Sequence, residues 1–198
     1  MSRWKPDARR RLQEAALELY AEQGFAETSV ASVAARAGLT ERTFFRYFAD
    51  KREVLFGNES ELQDLLVTTV AEAPEDATPW EAVSRGLAAV ATHLQPRREA
   101  ALTRARIIAA HPELRERELS KVSAWSGALE VVLAERGVRS PAVVAEVAVA
   151  VFRTAFQRWV SGEEDLPALV REALDDLADV VTGSTSRPHE PGRRSHHR

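Results

Sequence analysis

Between residues 39 and 51 the chain reads Leu-Thr-Glu-Arg-Thr-Phe-Phe-Arg-Tyr-Phe-Ala-Asp-Lys. Leu39, Phe44 and Phe48 have the spacing of core anchors on a helix, which leaves Glu41, Arg42, Thr43, Arg46 and Tyr47 for the outer surface. Those side chains are suited to reading base edges. Arginine pairs with guanine, glutamate accepts from the cytosine amino group, and threonine serves either partner or rests on a thymine methyl. Lys51, just beyond, is placed to hold a phosphate as a point charge. Ser29 and Thr40 stand where a hydroxyl accepts from backbone N–H groups two or three residues on and so starts a helix. The reciprocal half of a capping box calls for Glu or Gln three residues later. Ser32 and Thr43 occupy those positions, so the sequence predicts two simple caps without the return bond. Helix N-termini of this kind also suit phosphate.

These side chains need a scaffold, and the apolar periodicity near 3.6 supplies a helical one almost throughout. A first helix is predicted over 7–23, with Leu12, Ala15, Ala16, Leu19 and Tyr20 on one face and Gly24 at its end. A short second helix starts at Ser29, turns Val30, Val33, Ala34 and Ala37 inward, and closes at Gly38. The third begins after Thr40. Two short helices joined by a few residues around a glycine form a helix-turn-helix between Ser29 and Phe48. A longer fourth helix is predicted from about Asp50 to Ala71, before a Pro74–Pro79 linker. Further helices fall at 79–94, 97–110, 112–136, 141–162 and 166–182, separated by Pro96, His111–Pro112, Gly137–Pro141 and Gly162–Pro167. The expected fold is all-α, with about nine helices and no strand. A DNA-binding unit over 1–51 precedes a helical regulatory and dimerisation unit over 52–182. Residues 183–198 lack apolar periodicity and are expected to be disordered.

Composition bounds the function. With 44% hydrophobic and 29% charged residues in 198, the chain is globular in type. It has no cysteine, which removes disulfides, thiolate metal sites and cysteine nucleophiles. Charges interrupt every apolar stretch, so no membrane partner is expected. The basic start, MSRWKPDARRR, has no apolar run behind it, and a cytoplasmic location is expected. The net charge of −3 divides unevenly: +2 over 1–51, −8 over 52–182 and +3 over 183–198. The acidic excess sits in the body, and local charge sets the field a duplex meets. No Gly-rich phosphate loop, HExxH run or serine elbow occurs, so neither enzyme activity nor a cofactor is expected. The scattered histidines read as surface or capping residues, and no metal is expected.

The stretch from Leu12 to Leu55 resembles the DNA-binding domain of the tetracycline-repressor (TetR) family. The matching pieces are AALELYAEQGF, ETSVASVAARAGLT, RTFFRYF and DKREVL, in order and at the family's spacing. The resemblance implies a homodimer, a three-helix DNA-binding head and a helical body that binds a small molecule. It places Ser29, Arg42, Thr43, Phe45, Arg46, Tyr47 and Lys51 against DNA. Phe45 departs from the family pattern, where tyrosine is common and sets its hydroxyl on phosphate. Phe45 has only an apolar contact to offer.

In the body, candidate pocket walls are Leu102, Ile107, Trp125, Leu129, Phe152 and Phe156, with His93, Arg106 and Arg153 as polar groups. The implied effector is largely apolar, with Arg106 as partner for an anion. The last two helices carry long apolar stripes. One has Val144, Val147, Ala148, Val151, Ala155 and Trp159; the other has Leu166, Val170, Leu174, Leu177 and Val181. Stripes on more than one side must be buried twice, once internally and once against a partner. The family resemblance makes them a four-helix dimer bundle, with Ala148 and Ala155 allowing close approach. Such a dimer suits a palindromic double-stranded operator. The expected function is a ligand-responsive regulator, in repressor form, released by its effector. The competing reading is a helical small-molecule or partner-binding protein that does not read DNA.

Overall fold

Every predicted helix break is kept, and one further break, inside the expected fourth helix, shapes the head. The computed structural model describes residues 8–57 and 59–183. The expected tail therefore lies outside the described residues, apart from Gly183. Among those residues there are nine α-helices, two short 3₁₀ segments and no strand. The helices are α1 (Ala8–Gln23), α2 (Val30–Arg36), α3 (Glu41–Tyr47), α4 (Glu59–Ala71), α5 (Pro79–Leu94), α6 (Arg98–Ala110), α7 (Pro112–Glu135), α8 (Pro141–Ser161) and α9 (Leu166–Thr182).

The expected single helix from Asp50 to Ala71 is interrupted. Residues Glu53–Phe56 form a 3₁₀ turn, and α4 starts only at Glu59. The chain packs closely at Gly57, which is buried just after this turn. A Cβ there would lie 2.6 Å from Gln13 Nε2 and 2.8 Å from Phe48 Cε1. The chain must cross tightly over α1 and Phe48 before it can leave the head. Val54, Leu55 and Phe56 are buried beneath that crossing.

Two apolar cores result. The head core joins Leu12, Ala16, Leu19 and Tyr20 of α1 with Val33 and Ala37, Phe44 and Phe48, and the 3₁₀ residues. It also takes in Ile107 and Ile108 of α6 and Leu114 of α7. The body core is built from α4, α5, α7, α8 and α9, with Leu66, Leu87, Leu129, Leu133, Trp159, Leu166 and Leu169 almost wholly buried. Each such leucine carries roughly 2–5 kcal/mol against truncation to alanine. The start of α5 is fixed by a full capping box. Glu81 Nα–H donates to Thr78 Oγ1 at 3.2 Å, and Thr78 N–H donates to Glu81 Oε2 at 2.8 Å. Among the described residues no helix is long and apolar enough to cross a membrane.

Candidate nucleic-acid interface

The helix-turn-helix is held by its caps and by one left-handed glycine. Ser29 Oγ accepts from Ser32 N–H at 3.0 Å, and Ser29 N–H donates to Ser32 Oγ at 3.1 Å. Ser32 thus completes the capping box that the sequence reading withheld, because a serine hydroxyl at N3 is long enough to reach back. Thr40 caps α3 by accepting from Thr43 N–H at 3.2 Å. Gly38, between the helices, has φ +62°. A Cβ there would be strained by backbone conformation and would sit 2.9 Å from Arg11 Nη2. Arg11 donates to the Ala37 carbonyl, which ties the turn to α1.

Phe44 and Phe48 face inward, 0% and 4% exposed, and so fix the rotation of α3. Glu41, Arg42, Phe45, Arg46 and Tyr47 are thereby presented outside, with Thr43 half-buried. Phe45 is 55% exposed, unusual for a large apolar side chain on a short helix. Arg46 and Tyr47 form one unit. Arg46 Nη2 donates to the Tyr47 hydroxyl at 2.8 Å, with the guanidinium 4.8 Å from the ring centroid. That stacked pair limits rotamer freedom before any partner arrives.

Lys51 is differently employed from the sequence expectation. Its ammonium donates to the carbonyls of Phe25 (2.9 Å), Ala26 (3.0 Å) and Thr28 (3.0 Å). It also lies 4.7 Å from the Phe25 ring centroid. All three N–H donors are occupied by the loop that leads into Ser29, so the side chain clamps that loop. The loop is also held from below. The buried Thr28 hydroxyl donates to Gly24 O at 2.8 Å, and Tyr20 Oη donates to Lys51 O at 2.6 Å. Burial, and then the Asp50 charge, push the Tyr20 phenol above its ordinary value, so it stays a donor. The Arg52 guanidinium beside Asp50 holds that carboxyl below the usual aspartate range, with backbone N–H groups of Glu53 and Arg52 adding to the effect. Arg36 bridges to Glu22 at 2.7 Å and Glu18 at 3.2 Å, locking α2 across α1.

The head connects to the body through residues that the sequence pattern did not assign to that role. Arg104 on α6 donates from Nε to Leu55 O at 2.7 Å, pairs with Glu118 at 2.9 Å and lies 5.1 Å from the Phe56 ring centroid. Glu53 pairs with Arg117 and, at 3.8 Å, with Lys121, both on α7. Phe25 meets the His111 ring at 5.1 Å. Ile107, expected in a ligand pocket, belongs to this junction and the head core. α6 therefore has its two buried side chains, Ile107 and Ile108, in the head rather than the body.

The structure brings four of the other expected pocket residues together. Trp125 and Phe152 lie 5.8 Å apart, Phe152 and Phe156 6.3 Å apart, and Leu129 is buried in the same core. Leu102 is half-buried on α6, whereas Arg106 and Arg153 are exposed. His93 is half-buried and hydrogen-bonded to Arg97. Arg153 lines a surface cleft of about 180 Å³ between α7 and α8, with Leu119, Ser123 and Glu146. A second cleft of about 610 Å³ lies beside the start of α5, lined by Pro74, Thr78, Trp80 and Arg85 among others. Neither is lined by Trp125, Phe152, Phe156 or Trp159.

The expected dimer stripes divide by burial within the single chain. Ala148, Val151, Ala155, Trp159, Leu166, Val170 and Leu174 are all buried inside a single chain. The α8–α9 pair uses these residues to close its own core, with Val151 and Leu174 keeping 8% of their surface exposed. Val144, Val147 and Leu177 stay half-buried, and Val181 is 77% exposed. Val143 and Val180, not in the expected stripes, are 63% and 78% exposed.

A helix-turn-helix head on an all-helical body defines a DNA-binding transcription regulator. Comparison with known proteins gives the family. Residues 12–56 match the family described as bacterial regulatory proteins, tetR family, and residues 77–182 match the MftR C-terminal domain. The chain belongs to the TetR family of bacterial regulators, with a C-terminal domain of the MftR type. It is 27% identical over 181 residues to a Mycobacterium tuberculosis protein named as a mycofactocin biosynthesis transcriptional regulator, MftR, covering 89% of this chain and 90% of that one. It is 29% identical over 189 residues to the HTH-type transcriptional regulator TcmR of Streptomyces glaucescens, covering 87% and 84%. The fold matches SmeT, the Stenotrophomonas maltophilia efflux-pump repressor, in its complex with triclosan. That match has a TM-score of 0.64 and 19% identity, and covers 96% of this chain and 99% of that one.

Proposed function

We propose that two copies of this chain pair through their bodies and set their α3 helices in successive major grooves of a palindromic operator, from which a small effector releases them. One observation carries the DNA-reading assignment. Phe44 and Phe48 are buried so completely that Glu41, Arg42, Phe45 and Arg46 have no direction but outward. Ser29 and Thr40 sit at helix starts whose N–H groups suit phosphate, with Thr43 and Tyr47 flanking the base-reading side chains. Lys51 acts on DNA indirectly, by fixing the loop into α2. The pairing face uses the exposed Val143 of α8 and Val180 and Val181 of α9, with Val144, Val147 and Leu177 half-buried at the edge of the core beside them. The units fall near 1–51 and 52–182, with α6 and the start of α7 packed into the first. Reading DNA in a bacterial cell places the protein in the cytoplasm.

Release follows from the junction. The 13 residues of α6 span about 18 Å, with Arg98 anchored in the body and Ile107 and Ile108 in the head. An effector that displaces α6 shifts the head as a unit, and needs only a preference for the spacing that does not fit DNA. The family domain match and the ligand complex of SmeT support a ligand in the body.

The test is fluorescence anisotropy on the inverted repeat nearest the coding region and on a scrambled duplex, at two salt concentrations. Wild type should favour the repeat by about 10³-fold or more. Arg42→Ala should cost about 1–3 kcal/mol and relax specificity at one position per half-site. Equal, weak binding to both duplexes by wild type would sink the assignment.

A further inference from the structure

Among the described residues only two aromatic rings are exposed, Phe45 at 55% and Tyr47 at 38%, and both stand on α3. Their surroundings differ. Tyr47 engages Arg46 with both its hydroxyl and its ring face. Phe45 is held from beneath and left bare above. Its ring stands edge-on to Phe44, with centroids 5.5 Å apart and planes at 80°, and Phe44 is itself 0% exposed. A packed ring thus anchors an unpacked one, and Phe45 is aimed before any partner arrives.

The chemistry of that ring limits what it can meet on a duplex. A phenyl group neither donates nor accepts, so the hydrogen-bonding pattern of a base edge is closed to it. Against a phosphate it would strip water from the anion and return no hydrogen bond. The major groove displays one apolar group, the C5 methyl of thymine. Arg42 lies three residues earlier, on the same side of the helix. It is exposed and forms no side-chain hydrogen bond or ion pair among the described residues. The other outward polar groups nearby are engaged: the Thr43 hydroxyl lies 3.0 Å from that of Thr40, and Arg46 is bonded to Tyr47. Arg42 is therefore the guanidinium left for a bidentate pair with guanine. Three residues of helix rise about 4.5 Å, little more than the base step of about 3.4 Å.

We propose that Phe45 and Arg42 read neighbouring base pairs in each half-site, Phe45 seated on the C5 methyl of a thymine and Arg42 on O6 and N7 of the guanine next to it. The inference rests on the reading of α3 as the helix that enters the major groove, and it supplies the base chemistry of two positions there. Cytosine in place of that thymine presents a bare C5–H and leaves the ring facing water. The selectivity at this position is thus apolar, and it comes from a single methyl group.

The experiment uses full-length protein and an inverted repeat recovered by repeated selection from a random duplex pool. Each thymine of the half-site is replaced in turn, in both halves at once, by deoxyuridine, which pairs alike and lacks only the methyl. Each guanine is likewise replaced by 7-deazaguanine, which lacks N7. Fluorescence anisotropy should find one thymine whose methyl is worth about fourfold in affinity per half-site, about 15-fold for the pair. In Phe45→Ala the same replacement should cost less than about twofold. Phe45 lies outside the core, and the wild-type measurements need no variant to fold. The guanine whose N7 matters to wild type but not to Arg42→Ala should be next to that thymine. Deoxyuridine without effect at every thymine, or with an equal penalty in Phe45→Ala, overturns the thymine reading while α3 keeps its place on DNA. Absence of a guanine with the Arg42 signature, or its position two or more base pairs away, overturns the pairing of the two. Failure of the selection to enrich any sequence overturns the DNA-reading assignment as well.

Discussion

Replacing Lys51 with methionine separates two roles that one lysine can play in this head. Methionine keeps the stem length and the apolar contact with Phe25, but removes an ammonium bonded to three carbonyls at 2.9–3.0 Å. Hydrogen bonds to charged groups contribute about 1.5–3 kcal/mol each when considered singly. Here one ammonium serves all three, and Ala26 is exposed, so water can take over part of the bonding. A net loss of about 2–3 kcal/mol is expected, including about 0.5–1 kcal/mol for the contact with the Phe25 ring. In a chain of this length that is about 4–12 °C in Tm. Circular dichroism melts check the magnitude, and hydrogen exchange at the α2 amides checks that the loosened segment is the one leading out of the 25–28 loop. DNA affinity should fall by a similar factor at every salt concentration. A lysine bound to phosphate behaves otherwise: its loss from both heads lowers the slope of log K against log salt by about two. An unchanged Tm together with that fall in slope would refute the clamp.

Phe45→Tyr restores a hydroxyl where relatives often hold phosphate. Each head should gain about 0.5–1.5 kcal/mol in DNA binding, read as tighter anisotropy isotherms, with little change in base preference. Asp50 contributes stability through its depressed carboxyl, which Arg52 and two backbone N–H groups hold ionised. A depressed acid stabilises above its unfolded pKa of about 4, and that contribution is lost as pH falls through the lower folded value. Asp50→Asn should therefore destabilise the head at pH 7. The gap from wild type in urea melts should close below about pH 4, and a gap constant from pH 7 to pH 3 would rule the ion pair out as its source.

Local patterning made much of this protein legible in its sequence. The periods of Leu12–Tyr20, Val30–Ala37 and Phe44–Phe48, the hydroxyls at Ser29 and Thr40 and the glycine at 38 all act within a few residues. Helix starts, the turn and the outward face of α3 therefore follow from spacing alone. Contacts distant in the chain had no such signal. Lys51 reads as a phosphate ligand until the fold carries the 25–28 carbonyls to its ammonium, and position 57 has no room for a side chain because Gln13 of α1 and Phe48 crowd it from elsewhere in the chain. The stripes of α8 and α9 are apolar in sequence whichever surface covers them. Only packing shows that Ala148, Ala155 and Trp159 are consumed inside one chain while Val143, Val180 and Val181 are left outside. Periodicity identifies the face of a helix that must leave water, and the tertiary structure decides what replaces the water there.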